Sequence, residues 1–331
     1  MNRPETPTHP FDRLQPEILL EAAEAVGLVT DGRLLALNSY ENRVWQIGIE
    51  EGEPVIAKFY RPARWSDAAI EEEHAFSAEL AAAGLSVVAP LMFDDRTLLE
   101  HAGFRYALFP RRGGHAPEPE DENTLRALGR ALGRMHAVGR AGRFEHRGEI
   151  SIGALGRQPR DHLLAEGWLP HHLEDAFRTL TDDLLVHIDA AWQRAGDFAP
   201  IRLHGDCHPG NILWRDGPHF VDLDDCAAGP AVQDLWMLIS GELADRQRQW
   251  QWLLDEYRMF AAFDLRELNL VEALRALRMI HYQAWIARRW DDPAFPKAFP
   301  WFADDRHWER MIGQLREQLS ELQEPPVQID R

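Results

Sequence analysis

Between Leu203 and Asp225 the chain sets out His204, Asp206, Asn211 and Asp222 in an order that suits phosphate chemistry. Asp206 and Asn211 share a loop rich in Gly and Pro. Two short β-prone runs, Ile212 to Arg215 and His219 to Leu223, then turn at Asp216 and Gly217, so a hairpin is expected to return Asp222 toward that loop. Carboxylate and carboxamide oxygens are the donors that Mg²⁺ prefers, which makes Asn211 and Asp222 the expected metal ligands. Asp206 is then placed to accept a hydrogen bond from an acceptor hydroxyl and hold it in line with a terminal phosphate. Asp206 and Asp222 are the expected catalytic pair.

Upstream, Val55 to Lys58 is apolar except for its lysine and resembles the kinase third-strand motif, which implies that Lys58 binds nucleotide phosphates. A helix follows, and its acids Glu71, Glu72 and Glu73 are candidate partners for Lys58. Glu73 is preferred, because Phe76 and Leu80 put it on the inward face at helical spacing. No GxGxxG occurs. The turn between the first two strands instead carries Ser39, Asn42 and Arg43, which suit either phosphate contact or an ordinary surface hairpin.

The spacing His-x-Asp-x-x-x-x-Asn matches the catalytic loop of protein kinases, and His-Gly-Asp-x-His-x-x-Asn resembles the form found in aminoglycoside and choline kinases. The runs from Ser39 to Val44, Val55 to Trp65 and Leu203 to Trp214 together resemble the bacterial stress response kinase A family, over nearly the whole chain. That resemblance implies a Ser/Thr protein kinase that uses ATP and Mg²⁺, with some autophosphorylation, in cytoplasmic protection against stress. It also implies that Asp206 is the proton acceptor, that Asn211 and Asp222 bind Mg²⁺, and that Ser39 belongs to the ATP site. Leu108 to Pro110 take the place of the adenine-binding hinge. Asp234 takes that of the acid that supports the catalytic loop. Asp-Leu-Asp-Asp from Asp222 to Asp225 stands where many protein kinases carry Asp-Phe-Gly, and Asp224 is a candidate ligand for a second metal ion.

These residues need two kinds of scaffold. The first part reads as a small antiparallel sheet: runs Leu34 to Asn38, Val44 to Glu50, Pro54 to Tyr60, Val87 to Phe93, Thr97 to His101 and Arg105 to Phe109, with one main helix over Asp67 to Ala83. Pro110 to Glu122 is the strongest linker signal. The rest keeps helical spacing over Asn123 to Val138, Leu173 to Ala195, Ala231 to Gly241, Arg246 to Phe263, Arg266 to Trp290 and Arg306 to Gln323. The expectation is an α+β, two-lobed protein-kinase-like fold: a nucleotide-binding lobe over 1–110, a hinge over 111–122, and a helical catalytic lobe over 123–331, with ATP between the lobes.

Composition narrows the alternatives. With 36 Lys and Arg against 54 Asp and Glu, the formal charge of −18 argues against nucleic acid as the main partner. Two cysteines without a CxxC fit a reduced, cytoplasmic setting. Pro4, Thr6, Pro7, Thr8 and Pro10 crowd the N-terminus, where no apolar core of a signal peptide occurs, and no stretch has the length of a membrane helix. A monomer acting on protein substrates is expected. His204, Cys207, His208 and Cys226 lack zinc-site spacing. His115, His136 and His281 read as structural, as do most of the 12 tryptophans. The competing function is a kinase for a small alcohol of aminoglycoside, choline or homoserine type, which the negative charge favours if the acceptor is cationic. An ATP-binding pseudokinase scaffold is disfavoured by the presence of Lys58, Asp206, Asn211 and Asp222 together.

Overall fold

The computed structural model describes residues 9–329, so Pro4, Thr6, Pro7 and Thr8 lie outside the described residues. In chain order its elements are α1 (Pro16–Glu24), β1 (Thr30–Ala36), β2 (Arg43–Ile49), β3 (Val55–Phe59), α2 (Asp67–Ala82), β4 (Leu99–His101), β5 (Phe104–Pro110), α3 (Glu122–Arg140), α4 (Gln158–Ala165), α5 (His171–Ala195), β6 (Ile201–Leu203), β7 (Ile212–Trp214), β8 (Pro218–Phe220), β9 (Ala227–Gly229), α6 (Leu243–Tyr257), α7 (Val271–Ala287), α8 (Ala294–Ala298) and α9 (Asp305–Gln323). The chain divides into two compact units. One holds the residues up to His115 with Leu213–Arg215 and His219–Asp224; the other holds Ala116–Ile212, Asp216–Pro218 and the chain from Asp225 onward.

The first unit is an antiparallel five-stranded sheet in the order β1-β2-β3-β5-β4. Strand alternation sorts β3 between two layers. Val55, Ala57 and Phe59 pack with Leu19, Ala22 and Ala23 of α1 and with Tyr106 and Leu108 of β5. The Tyr106 hydroxyl donates to the Ala22 carbonyl at 2.6 Å, which satisfies the one polar atom of that buried ring. Lys58 points to the opposite face, and its backbone pairs with Val44 on one side and Ala107 on the other. Ser66 starts α2, accepting the Ala69 N–H at 3.2 Å. The buried stripe of that helix is Ile70, Glu73, His74, Ser77 and Leu80, one charged residue among the packing positions.

The run Val87 to Phe93 is not a strand. Val87 and Phe93 make single isolated bridges, to Phe220 and Arg96, while Val88 N–H and Leu91 N–H bond to the Phe220 and Leu108 carbonyls. Pro90 removes a donor from the middle of the run, which leaves five strands.

The second unit is mostly helical, around a core shared by α4, α5, α7 and α9 that includes Phe177, Leu184, Ile188, Leu277, Ile280, Trp308 and Leu315. Gly129 and Gly133, one turn apart on α3, allow close approach to α6: a Cβ on either would stand 2.3 Å from the Leu253 carbonyl oxygen or 2.5 Å from that of Tyr257. Two expected helices are corrected. Ala231 to Gly241 forms two 3₁₀ turns, Ala231–Asp234 and Trp236–Leu238, because Glu267 takes the Val232 N–H and the side chains of Gln233 and Asp234 are spent on the loop after β6. The segment expected as one helix from Arg266 to Trp290 is a 3₁₀ turn over Leu265–Leu270 followed by α7.

Candidate active site

In the sheet unit, Lys58 is the centre of a charge cluster. Its Nζ lies 3.0 Å from Asp222, 3.1 Å from Asp224 and 3.7 Å from Glu73. Burial alone would depress the ammonium pKa, but Asp222, Asp224 and Glu73 outweigh it and hold the group well above its ordinary value, so Lys58 is charged. Among the three helix acids Glu73 is the buried one; Glu71 is exposed and Glu72 half-buried. The carboxylates differ in a way that matters for chemistry. The side chains of Glu73 and Asp224 are 3% and 5% exposed, whereas that of Asp222 is 54% exposed. Asp222 also sits at φ +59°, a left-handed backbone that Asp tolerates better than most residues and that turns the chain sharply after β8.

Asp224 does not present itself to solvent as an open metal ligand. It pairs with Arg64 as well as Lys58, and the Asn42 side-chain amide donates to it at 3.2 Å. Asn42 in turn accepts the Arg61 N–H at 3.0 Å, and Arg61 pairs with Glu41 at 2.9 Å. The β1–β2 turn is thereby fastened to the segment after β3. Within that turn the Ser39 hydroxyl donates to the Asn42 carbonyl at 3.1 Å, and the Arg43 guanidinium lies over the Phe11 ring at 4.3 Å. Ser39 and Arg43 thus make these contacts within the turn and against Phe11 rather than with Lys58. Leu108 to Pro110 lie in β5, paired with β3.

In the helical unit, β6 and β9 pair antiparallel and deliver His204 and Gly205 at the start of the Asp206 loop. Gly205 has φ +87°, and a Cβ there would lie 2.0 Å from the Asp225 carbonyl oxygen, so no larger residue fits. Asp234, wholly buried, accepts the His204 and Gly205 N–H groups at 2.8 Å each, and Gln233 donates to the Gly205 carbonyl at 2.8 Å. His136 stands 3.0 Å from Asp234 and 2.9 Å from the Tyr257 hydroxyl, completing a buried brace beneath the loop. The Asn211 side-chain amide N–H donates to the Asp206 carbonyl at 3.0 Å, so its carboxamide oxygen takes no part in that bond.

Two residues to which the sequence reading gives no role in the site meet the Asp206 carboxylate. His208 Nδ1 accepts the Gly210 N–H at 3.0 Å, so in the neutral ring the proton sits on Nε2, 3.5 Å from Asp206 Oδ2. Arg278, on α7, donates to Asp206 Oδ1. Burial would raise the Asp206 pKa, but the His208 hydrogen bond and the Arg278 charge prevail and hold the carboxyl below the usual carboxylate range. Arg278 lies 72 positions downstream, and only the tertiary fold reveals this pairing. Cys207, beside Asp206, is buried; burial and the charges of Asp234 and Asp206 push its thiol well up, so it stays protonated.

Residues 33–271 match the profile of the phosphotransferase enzyme family. Over 319 residues the chain is 45% identical to stress response kinase A of Escherichia coli strain K12 and to serine/threonine protein kinase RdoA of Salmonella typhimurium strain LT2, covering 96% of this chain and 97% of each relative. The chain belongs to the phosphotransferase enzyme family, in its stress response kinase A group. It is a phosphotransferase, an ATP-dependent kinase. Solved structures share the fold: an amicoumacin kinase (TM-score 0.70, 19% identity, 95% of each chain covered) and a microcompartment-associated aminopropanol kinase (TM-score 0.70, 19% identity, 93% of this chain and 98% of the other). No helix among the described residues is long and apolar enough to cross a membrane.

Proposed function

We propose that this kinase transfers the γ-phosphate of ATP to Ser or Thr hydroxyls of proteins, in a cytoplasmic stress response. The observation that carries the reading is the 45% identity, along nearly the full length, with a relative named a serine/threonine protein kinase. The site chemistry supports the transfer itself. Lys58, kept charged by its carboxylates, steadies nucleotide phosphates, and Glu73 positions Lys58. Ser39 holds the turn over the nucleotide by its bond to Asn42. Asp206 accepts the acceptor hydroxyl's hydrogen bond and takes its proton late in the transfer.

The donor chemistry fits Mg²⁺: the exposed Asp222 carboxylate and the carboxamide oxygen of Asn211 are hard oxygen ligands that would hold it. Bound with the nucleotide, Mg²⁺ would neutralise charge on the phosphates.

A small-alcohol kinase is the second reading, favoured by the fold shared with kinases named for amicoumacin and aminopropanol. Labelled ATP incubated with the full chain, casein and a panel of small alcohols separates the two. Label on casein and on the kinase itself, lost in Asp206→Ala and Asp222→Ala variants that remain folded, is the expected result. Label confined to small alcohols would overturn the protein reading.

A further inference from the structure

The Asp206 carboxylate does not face its acceptor alone. Arg278 donates to one oxygen, and the Nε2 of His208 stands 3.5 Å from the other. The nearest acid on α7 does not cancel this charge. Glu272 is engaged by Arg275 at 3.0 Å, by Arg246 at 3.3 Å and by the Gln318 amide at 2.9 Å, while Arg275 also stacks over Trp236. In a chain of net charge −18, Asp206 thus carries a guanidinium at its side, partly open to solvent.

A packing role does not account for Arg278. Its side chain is 43% exposed, and ion pairs at that exposure add little to folding. Its charge, in contrast, acts on whatever molecule brings a hydroxyl to Asp206. An ammonium group carried on the acceptor close to that hydroxyl meets a like charge, and a carboxylate or phosphate there meets a partner. Asp206 retains lone pairs for the hydroxyl while it pairs with Arg278, because each carboxylate oxygen accepts twice. One turn further along α7, Tyr282 is 39% exposed and stacks on Trp285, a neutral ledge that supplies no carboxylate for a cation.

We infer that Arg278 is a specificity-determining residue that selects acceptor hydroxyls flanked by anionic groups, above all Ser or Thr in acidic peptide, and rejects cationic alcohols. This rests on the reading of Asp206 as the residue that receives the acceptor hydroxyl.

The test compares two peptides identical except that glutamates or lysines flank one serine, assayed with the full chain and Mg²⁺-ATP. The wild type is expected to favour the glutamate peptide by about 10- to 100-fold in kcat/KM, the range for one fixed charge near the acceptor, with the preference shrinking as salt rises. Arg278→Glu reverses the preference, Arg278→Gln flattens it, and Arg278→Lys restores most of it, a rescue that a merely structural role would not show. If neither peptide takes label, glycerate and ethanolamine replace them. A glycerate preference lost in Arg278→Glu then sustains the charge rule while removing the protein reading. A wild-type preference for the lysine peptide or ethanolamine, a preference unmoved by Arg278→Glu, or label on neither pair overturns the inference.

Discussion

Around Lys58, carboxylates crowd one ammonium group away from water; around Asp206, one carboxylate meets an arginine that remains 43% exposed. The two clusters use the same chemistry at different depths. Depth decides what each ion pair does. A buried cation held by buried Glu73 and Asp224 is fixed in place, because loss of either partner leaves charge uncompensated in a poor dielectric. A pair open to water costs little to rearrange, so an incoming molecule can exchange with it. Within the Lys58 cluster Asp222 is the exception, exposed and in a left-handed turn.

The largest effect should come from the open cluster. Asp206→Asn is expected to lower kcat by about 10²- to 10⁴-fold, the usual yield of a positioned base, while the chain stays folded at the assay temperature. Steady-state kinetics beside a thermal melt checks both. The buried cluster should answer in the opposite sense: Asp224→Ala takes from Arg64 and Lys58 the buried carboxylate they share and is expected to cost about 3–5 kcal/mol by chemical denaturation.

Glu267 sharpens the contrast, since it shows a buried acid that its neighbours do not keep at an ordinary pKa. Burial pushes it up to about 7 from an ordinary 4.5, although it accepts the Val232 N–H at 2.9 Å. The folded chain therefore binds this proton more tightly than the unfolded chain. Its stabilising contribution is complete below about pH 4.5 and is lost as pH rises through about 7. Unfolding measured from pH 4 to 8 should show a decline in the wild type that Glu267→Gln reduces by about 3 kcal/mol. Smallest of all, Arg278→Ala should change stability by less than about 1 kcal/mol in the same denaturation assay.

Much of this was legible in the sequence where residues act through local spacing. The period with Phe76 and Leu80 picks out Glu73 in the sequence, and it is the buried acid of α2 that pairs with Lys58. The helices α3, α5 and α9 follow apolar repeats that a periodic reading finds within a few residues. Tertiary hydrogen bonding defeated the same method at Ala231 to Asp234, where apolar spacing suggests a helix but polar groups are committed to Glu267 and to the Asp206 loop. Val87 to Phe93 misled for a related reason: β-branched residues mark a strand, yet Pro90 and single backbone bonds make an irregular connection. The partners Arg64 and Arg278 were illegible, because an arginine followed at 160 or 72 positions' distance by its acid, or preceded by it, leaves no periodic trace.

The division of labour between the clusters is tested most directly by calorimetric titration of a non-hydrolysable Mg²⁺-ATP analogue into the wild type, Asp222→Asn and Asp206→Asn. Asp222→Asn should weaken binding about tenfold or more, as losses at a metal site do, while Asp206→Asn binds as the wild type does. Equal weakening in both variants, or undiminished binding in Asp222→Asn, would contradict the account.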